Sequence, residues 1–183
     1  MSNEVNATKA NEAPTRLADG TYQPVLTVSD LDRCGRRWML GASIYNYESQ
    51  CAPAVMFATE PALRKIYAGD EEGYRRSLLS TYRYYNATPQ VSGLLLGAGL
   101  ALEDKGHNDA IDAVQDLKIG LMGSLSGVGD TIFAILIPTI FGSIAAYMGQ
   151  AGNPVGVLLW LAVAIAIFVW KLFEWRIGSK FGD

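Results

Sequence analysis

Histidine occurs once and cysteine twice in the 183 residues. A single histidine, His107, in no recognisable motif leaves no nucleophile–base pair, so a Ser–His or Cys–His hydrolase is excluded. Cys34 and Cys51 have no His or Cys at ligand spacing, which excludes a zinc cluster and reads as reduced core thiols. Basic residues are sparse too: 15 Lys and Arg against 18 Asp and Glu leave a formal charge of −3, no field for nucleic acid. Met1 to Thr27 contains no apolar run of the kind a secretory signal needs. The glycine-rich run Gly123 to Asp130 lacks the Lys-Ser/Thr of a phosphate loop and has no dinucleotide fingerprint. No catalytic residue, no cofactor and no metal are expected.

The most informative lack is of charge. The forty residues from Thr131 to Trp170 contain no Asp, Glu, Lys, Arg or His. A water-soluble chain of this size could not cover two fully apolar helices, so they are expected to cross a membrane. Thr131 to Gly149 reaches about 28 Å at 1.5 Å per residue, with Pro138 a kink. Asn153 and Pro154 read as the N-cap and first position of a return span from Val155 to Trp170, anchored by Trp170, Lys171, Trp175 and Arg176. The turn between the spans is uncharged, so the positive-inside rule places the front half and the end of the chain in the cytoplasm.

The front half reads as a series of shorter helices. Residues 1–28 are expected to be a disordered cytoplasmic tail. Ser29 or Asp30 caps a helix from Leu31, whose Arg33, Arg36, Arg37 and Trp38 suit either the membrane interface or an ordinary protein contact. Gly41 to Phe57 is too polar to span lipid alone, with Pro53 a helix break beside a polar cavity. Glu60-Pro61 opens a new helix. Asp70 caps the next, which places Tyr74, Leu78, Tyr82 and Tyr85 on one packing face and stops near Asn86, ahead of Pro89. Gln90 to Leu102 reaches roughly 18 Å, short of the roughly 30 Å hydrocarbon core, and its Gly93-x-x-x-Gly97 suits close packing. It is a re-entrant half-helix or a buried soluble one. Glu103 to Asp112 is a charged loop with His107 in solvent. Lys118 to Thr131 is apolar but rich in Gly and Ser, including Gly123, Gly127 and Gly129, and is able to break a helix. Asp130, at the threshold of the apolar run, either caps the next helix or lines a polar pocket.

Three short elements occur in a fixed order: Tyr45-Asn46-Tyr47-Glu48, Tyr85-Asn86-Ala87-Thr88-Pro89, and Gly120 to Phe133, which reads Gly-Leu-Met-Gly-x-Leu-x-Gly-Val-Gly-Asp-x-Ile-Phe. Together they resemble the IID membrane subunits of the mannose/fructose/sorbose class of bacterial sugar phosphotransferase systems, from about Leu31 to Gly178. Ser49 replaces a basic residue common after the Glu, and Thr131 stands where Pro is common.

The resemblance implies an all-α integral membrane protein: the tail, a helical region over 29–130 with interfacial and re-entrant helices, and a transmembrane hairpin with a short cytoplasmic end over 131–183. It also implies a multi-pass subunit of the bacterial inner membrane, a hetero-oligomer in the lipid bilayer with a IIC subunit. The pair carries a hexose-type sugar inward, and the IIA and IIB phosphocarrier units deliver the phosphoryl group. Such subunits continue beyond the equivalent of Phe181, so a truncated relic or an assembly protein is the alternative. Asn46, Glu48, Gln50, Asn86 and Asp130 are the candidates for a polar sugar path, or else helix caps and subunit ties. Pro53, Pro89, Gly93, Gly97, Gly123, Gly127 and Gly129 are the candidates for helix breaks and close packing.

Overall fold

The structure is a computed structural model that describes residues 14–41 and 43–182. Among these residues the elements are helical: α1 (Val28–Gly41), α2 (Ala52–Ile66), α3 (Glu71–Thr81), α4 (Ser92–Gly106), a 3-10 turn (His107–Asp109), α5 (Ile111–Gly129), a π-helical segment (Asp130–Leu136), α6 (Ile137–Gln150) and α7 (Val155–Ser179). Extended pairing is limited to isolated bridges. Two helical stretches, Ile111–Gln150 and Val155–Ser179, are long and apolar enough to cross a membrane, and little of the most apolar part of each is buried.

Local chemistry explains three of the helix starts. Thr27, rather than Ser29 or Asp30, begins α1: Asp30 N lies 3.4 Å from Thr27 Oγ1, and Asp30 Oδ2 accepts from Thr27 N at 2.8 Å. This reciprocal pair is a capping box, with Asp30 at its inner position. Asp70 caps α3 as expected, accepting from Gly73 N at 2.9 Å. Asn153 Oδ1 accepts from Val155 N at 3.0 Å and starts α7. The preceding turn closes through Asn153 N to Met148 O at 2.9 Å with Gly152 at φ +74, the left-handed position that glycine tolerates.

Two proline readings are corrected. Pro61 does not open a helix but lies inside α2. A proline there has no N–H for the carbonyl four residues back, Phe57 O. Arg37 supplies the missing donor: its Nε donates to Phe57 O at 2.6 Å, and its guanidinium lies 4.0 Å from the Phe57 ring centroid. Pro53 falls in the first turn of α2, where a proline costs no hydrogen bond.

The glycine stretch does not end a helix either. Helix α5 runs through it, and the ladder then widens, with Ile137 N donating to Ile132 O five residues back. Pro138 follows at once, and the wider π turns coincide with the place where proline deprives the ladder of a donor. A change of helix type thus lies immediately before Pro138, where a kink is expected from sequence.

The core lies where α1, α2, α4 and the end of α7 meet, with Trp38, Tyr85, Leu63, Ile66 and Trp175 fully enclosed. Trp38 therefore packs in the protein interior and not against lipid, and Cys34 is buried beside it. Burial pushes the Cys34 thiol up to about 12, so it stays protonated and inert at neutral pH. Helix α4 packs on α7 through glycine: a Cβ on Gly97 would lie 2.5 Å from Trp175 O, and one on Gly93 would lie 2.6 Å from the Trp175 ring. Only glycine permits that approach of two backbones.

Residues 14–27 make specific contacts, while residues 1–13 of the expected tail lie outside the described residues. Tyr22 N donates to Lys105 O at 2.7 Å, and Asp104 Oδ1 and Oδ2 accept from Val25 N and Leu26 N at 3.0 and 2.9 Å. His107, expected in solvent, is buried beneath this strap, its ring 3.8 Å from that of Tyr22 and 5.4 Å from that of Tyr67. The charged loop expected over 103–112 is the last turn of α4 and a 3-10 turn.

Candidate functional site

The three short elements, scattered over ninety residues of sequence, meet at one end of the helical core. The first is a tight loop closed on itself. Asn46 Oδ1 accepts from Ser49 N at 2.7 Å and from Ser49 Oγ at 3.0 Å, and Asn46 and Gln50 exchange backbone hydrogen bonds at 3.0 and 3.2 Å. Gln50 takes φ +54 to close the loop, and its Nε2 donates to Tyr47 O at 3.0 Å. The side chains of Asn46 and Gln50 are thus used within the loop. Tyr45, Tyr47 and Glu48 point outward, with Tyr47 92% exposed, and Glu48 makes no hydrogen bond or ion pair among the described residues.

The second element is stitched to the first. Cys51 N donates to Tyr85 O at 2.9 Å and Tyr85 N to Ser49 O at 3.3 Å, which sets Gln50 beside Tyr85 as a parallel bridge. Helix α3 stops at Thr81, short of the expected end near Asn86, so Tyr82 and Tyr85 leave the helical stripe. Tyr85 is wholly buried, and burial raises its phenol. Tyr82 remains partly exposed, its hydroxyl 3.4 Å from Asn46 Nδ2. Asn86 is exposed.

Two indoles hold the turn that follows. Trp38 Nε1 donates to Pro89 O at 3.1 Å and Trp170 Nε1 to Gln90 O at 2.8 Å. The turn into α4 is therefore fixed by α1 on one side and by the membrane-crossing α7 on the other.

The third element joins through Thr88. Its Oγ1 lies 2.6 Å from Asp130 Oδ1 and 3.1 Å from Ser126 O, and Asp130 also has Ser126 Oγ at 3.4 Å. Gly129 makes the contact possible, because a Cβ there would lie 2.5 Å from Thr88 Cβ. Asp130 is the first residue of the π segment and is otherwise exposed. It ends no helix, so of the two readings of its role, capping the next helix does not apply.

The remaining candidates separate from this cluster. Gly93 and Gly97 face α7, whereas Gly120, Gly123 and Gly127 have nothing within 4 Å of where a side chain would begin. Among the described residues no group of three or more His, Cys, Asp or Glu is placed to hold a metal ion. Sequence reasoning missed Thr88, which links the second and third elements, and Ser49 as the partner of Asn46. The only signal for either was its place inside a short motif.

Comparison with known proteins bears on the same segments. Residues 25–183 match the sequence model of the PTS system mannose/fructose/sorbose family IID component. The mannose-specific EIID component of Escherichia coli K12 is 34% identical over 142 residues, covering 76% of this chain and 50% of the relative. The fructose permease IID component of Bacillus subtilis is 30% identical over 148 residues, covering 79% of this chain and 52% of its own length. A solved cryo-EM structure of the mannose transporter ManYZ in complex with microcin E492 matches 87% of this chain and 60% of the matched chain, with TM-score 0.77 and 28% identity. The chain thus spans about half the length of the curated relatives it matches. With the family model covering all but the first residues, and with helices able to cross a membrane in the matched region, the chain belongs to the mannose/fructose/sorbose family of phosphotransferase-system IID components.

Proposed function

We propose that the chain acts as the IID membrane subunit of a phosphoenolpyruvate-dependent sugar phosphotransferase system in the bacterial inner membrane. It pairs there with a IIC subunit to move a hexose-type sugar that IIB, charged by IIA, phosphorylates on entry. The chain of contacts that joins the Asn46 loop to Tyr85, and Thr88 to Asp130, carries this reading. It sets the exposed carboxylate of Asp130, midway along a helical stretch long enough to cross the bilayer, on the same run of contacts as an exposed amide and exposed tyrosines. Carboxylates and amides beside aromatic faces are what a sugar's hydroxyls and apolar ring faces require.

Within the set of candidates the roles divide. Asn46 and Gln50 shape their loop, and Pro89 and Gly129 allow the second and third elements to touch. Glu48, Asn86 and Asp130 keep polar atoms free for the path or for IIC. Pro53 sets the start of α2 behind them, and Gly93 and Gly97 seat α4 on α7. Gly123 and Gly127, bare on the outer face of α5, belong to the contact with the partner subunit. The chain itself contributes no catalytic group, and the front half faces the cytoplasm.

The test is sugar uptake and phosphorylation in cells lacking a mannose-class permease, supplied with this chain and matching IIC, IIB and IIA, with and without a C-terminal IID half. Uptake that requires the chain and falls with Glu48→Ala or Asp130→Ala, while the chain still copurifies with IIC, supports a transport subunit. Assembly without uptake in every arrangement overturns it in favour of an assembly protein.

A further inference from the structure

Helix α1 carries three arginines, and the structure divides them. Arg37 is used inside the protein, bound to Phe57 O and 3.6 Å from Glu60. Arg33 and Arg36 are exposed, and neither forms an ion pair or hydrogen bond among the described residues. The acids of the same helix are both committed inward, Asp30 to Lys65 at 2.6 Å and Asp32 to Arg176. Ser29, Arg33, Arg36 and Leu40 follow one another by four, three and four positions and so share a face. That face ends in an exposed leucine, Leu40 at 76%. It is therefore cationic in the middle and apolar at one end; Asp32, four positions from Arg36, acts on it through space but has its carboxylate bound to Arg176.

The level of this face in the membrane is fixed by α7. A Cβ on Gly35 would lie 3.3 Å from the Trp175 ring and 3.6 Å from Leu172 O, so α1 crosses α7 at that height. The uncharged run of α7 ends at Trp170. The crossing is thus within about one and a half helical turns, roughly 8 Å, beyond the end of the apolar run. That is headgroup depth, and Phe173, 44% exposed, lies on the same stretch of α7.

We propose that Arg33 and Arg36 form a binding site for the phosphodiester of an anionic membrane phospholipid, with Leu40 entering the acyl boundary beside it. An arginine fork binds two phosphate oxygens, and its aliphatic stem lies along apolar surface while the charge reaches the headgroup. The proposal rests on the membrane placement of α7 and not on any sugar specificity, so transport failure would leave it intact.

The experiment reconstitutes the full chain in nanodiscs of equal phosphatidylglycerol and phosphatidylcholine and counts by mass spectrometry the lipids retained after mild detergent extraction. Each arginine near a membrane surface is worth about fivefold in binding. Arg33→Gln/Arg36→Gln should therefore lower the phosphatidylglycerol-to-phosphatidylcholine retention ratio by about tenfold or more. Arg33→Lys/Arg36→Lys should keep only part of it, since the charge remains but the fork is lost, and Arg75→Gln/Arg76→Gln on α3 should leave it unchanged. An unchanged ratio in the Arg33/Arg36 glutamine variant, or an equal loss in the Arg75/Arg76 variant, overturns the proposal. Displacement of the lipid by millimolar glycerol phosphate would show a site for free phosphate and would overturn it as well.

Discussion

Thr88 Oγ1 donates to Asp130 Oδ1 at 2.6 Å, tying the turn before α4 to the first residue of the π segment. A hydroxyl bound to a carboxylate is a charge-assisted hydrogen bond, and Thr88 is itself buried. Thr88→Val preserves shape and removes the donor, leaving Asp130 with Ser126 Oγ alone at 3.4 Å. The expected loss is about 1–2 kcal/mol of stability. Asp130→Asn should cost less, because its amide oxygen can still accept. In the double variant the two losses should overlap. Additive losses, measured by urea unfolding in micelles, would show that the bond contributes nothing.

The glycines of α5 and α4 should respond in opposite ways. At Gly97 and Gly129 a methyl group would collide with backbone or with a buried side chain 2.5 Å away, so alanine there should cost about 1–3 kcal/mol of folding stability. At Gly123 and Gly127 there is open space, and alanine should stabilise the isolated chain by up to about 1 kcal/mol each through helix propensity. If the proposed contact with IIC uses this face, the same two variants should weaken copurification with IIC although the chain itself is more stable. Stability and assembly rising together would remove that face from the interface.

How much of this could be read beforehand depends on the range of the interaction. The apolar hairpin, the Asp70 cap and the Asn153 start of α7 are local and were legible from composition and spacing. Pro61 was misread because a proline in the first turn and one rescued by a distant arginine look alike in sequence; the donor, Arg37, is on another helix. His107 was misread because the tyrosine that covers it, Tyr22, lies eighty-five positions earlier in a segment without periodicity. The three motifs were each visible, but their joining at Tyr85 and Thr88 depends on chain reversals that no periodicity encodes.

The strap over His107 should loosen in mild acid. Burial between Tyr22 and Tyr67 holds the imidazole below its ordinary value near 6.5, only partly opposed by the Asp70 carboxylate. An undocked His107 therefore takes up its proton first as pH falls. The contribution of the buried neutral ring is complete above about pH 6.5 and is lost as pH falls below it toward the depressed value. The Asp104 carboxylate, raised by its own burial, acts in the opposite sense, so His107→Gln is the variant that separates the two groups. Amide exchange of Tyr22, Val25 and Leu26, corrected for intrinsic rates, should be severalfold faster at pH 5.5 than at 7.5. His107→Gln should abolish the difference. Equal protection at both pH values would refute it.

Arg37 and Pro61 provide the sharpest test of the packing argument, because they touch only through the carbonyl that one vacates and the other fills. Removing the guanidinium with Arg37→Ala leaves Phe57 O in α2 without its 2.6 Å donor and also gives up the contact with the Phe57 ring. The expected loss is about 2–3 kcal/mol. Pro61→Ala restores an N–H at the position that would serve Phe57 O in an uninterrupted helix, and it also raises helix propensity. In the Pro61→Ala background, then, Arg37→Ala should cost about 1 kcal/mol less than in the parent. Chemical denaturation of the four proteins measures the coupling directly. A coupling of zero would mean that Phe57 O is satisfied by water and that Arg37 stabilises the helix pair through its ring contact and Glu60 alone.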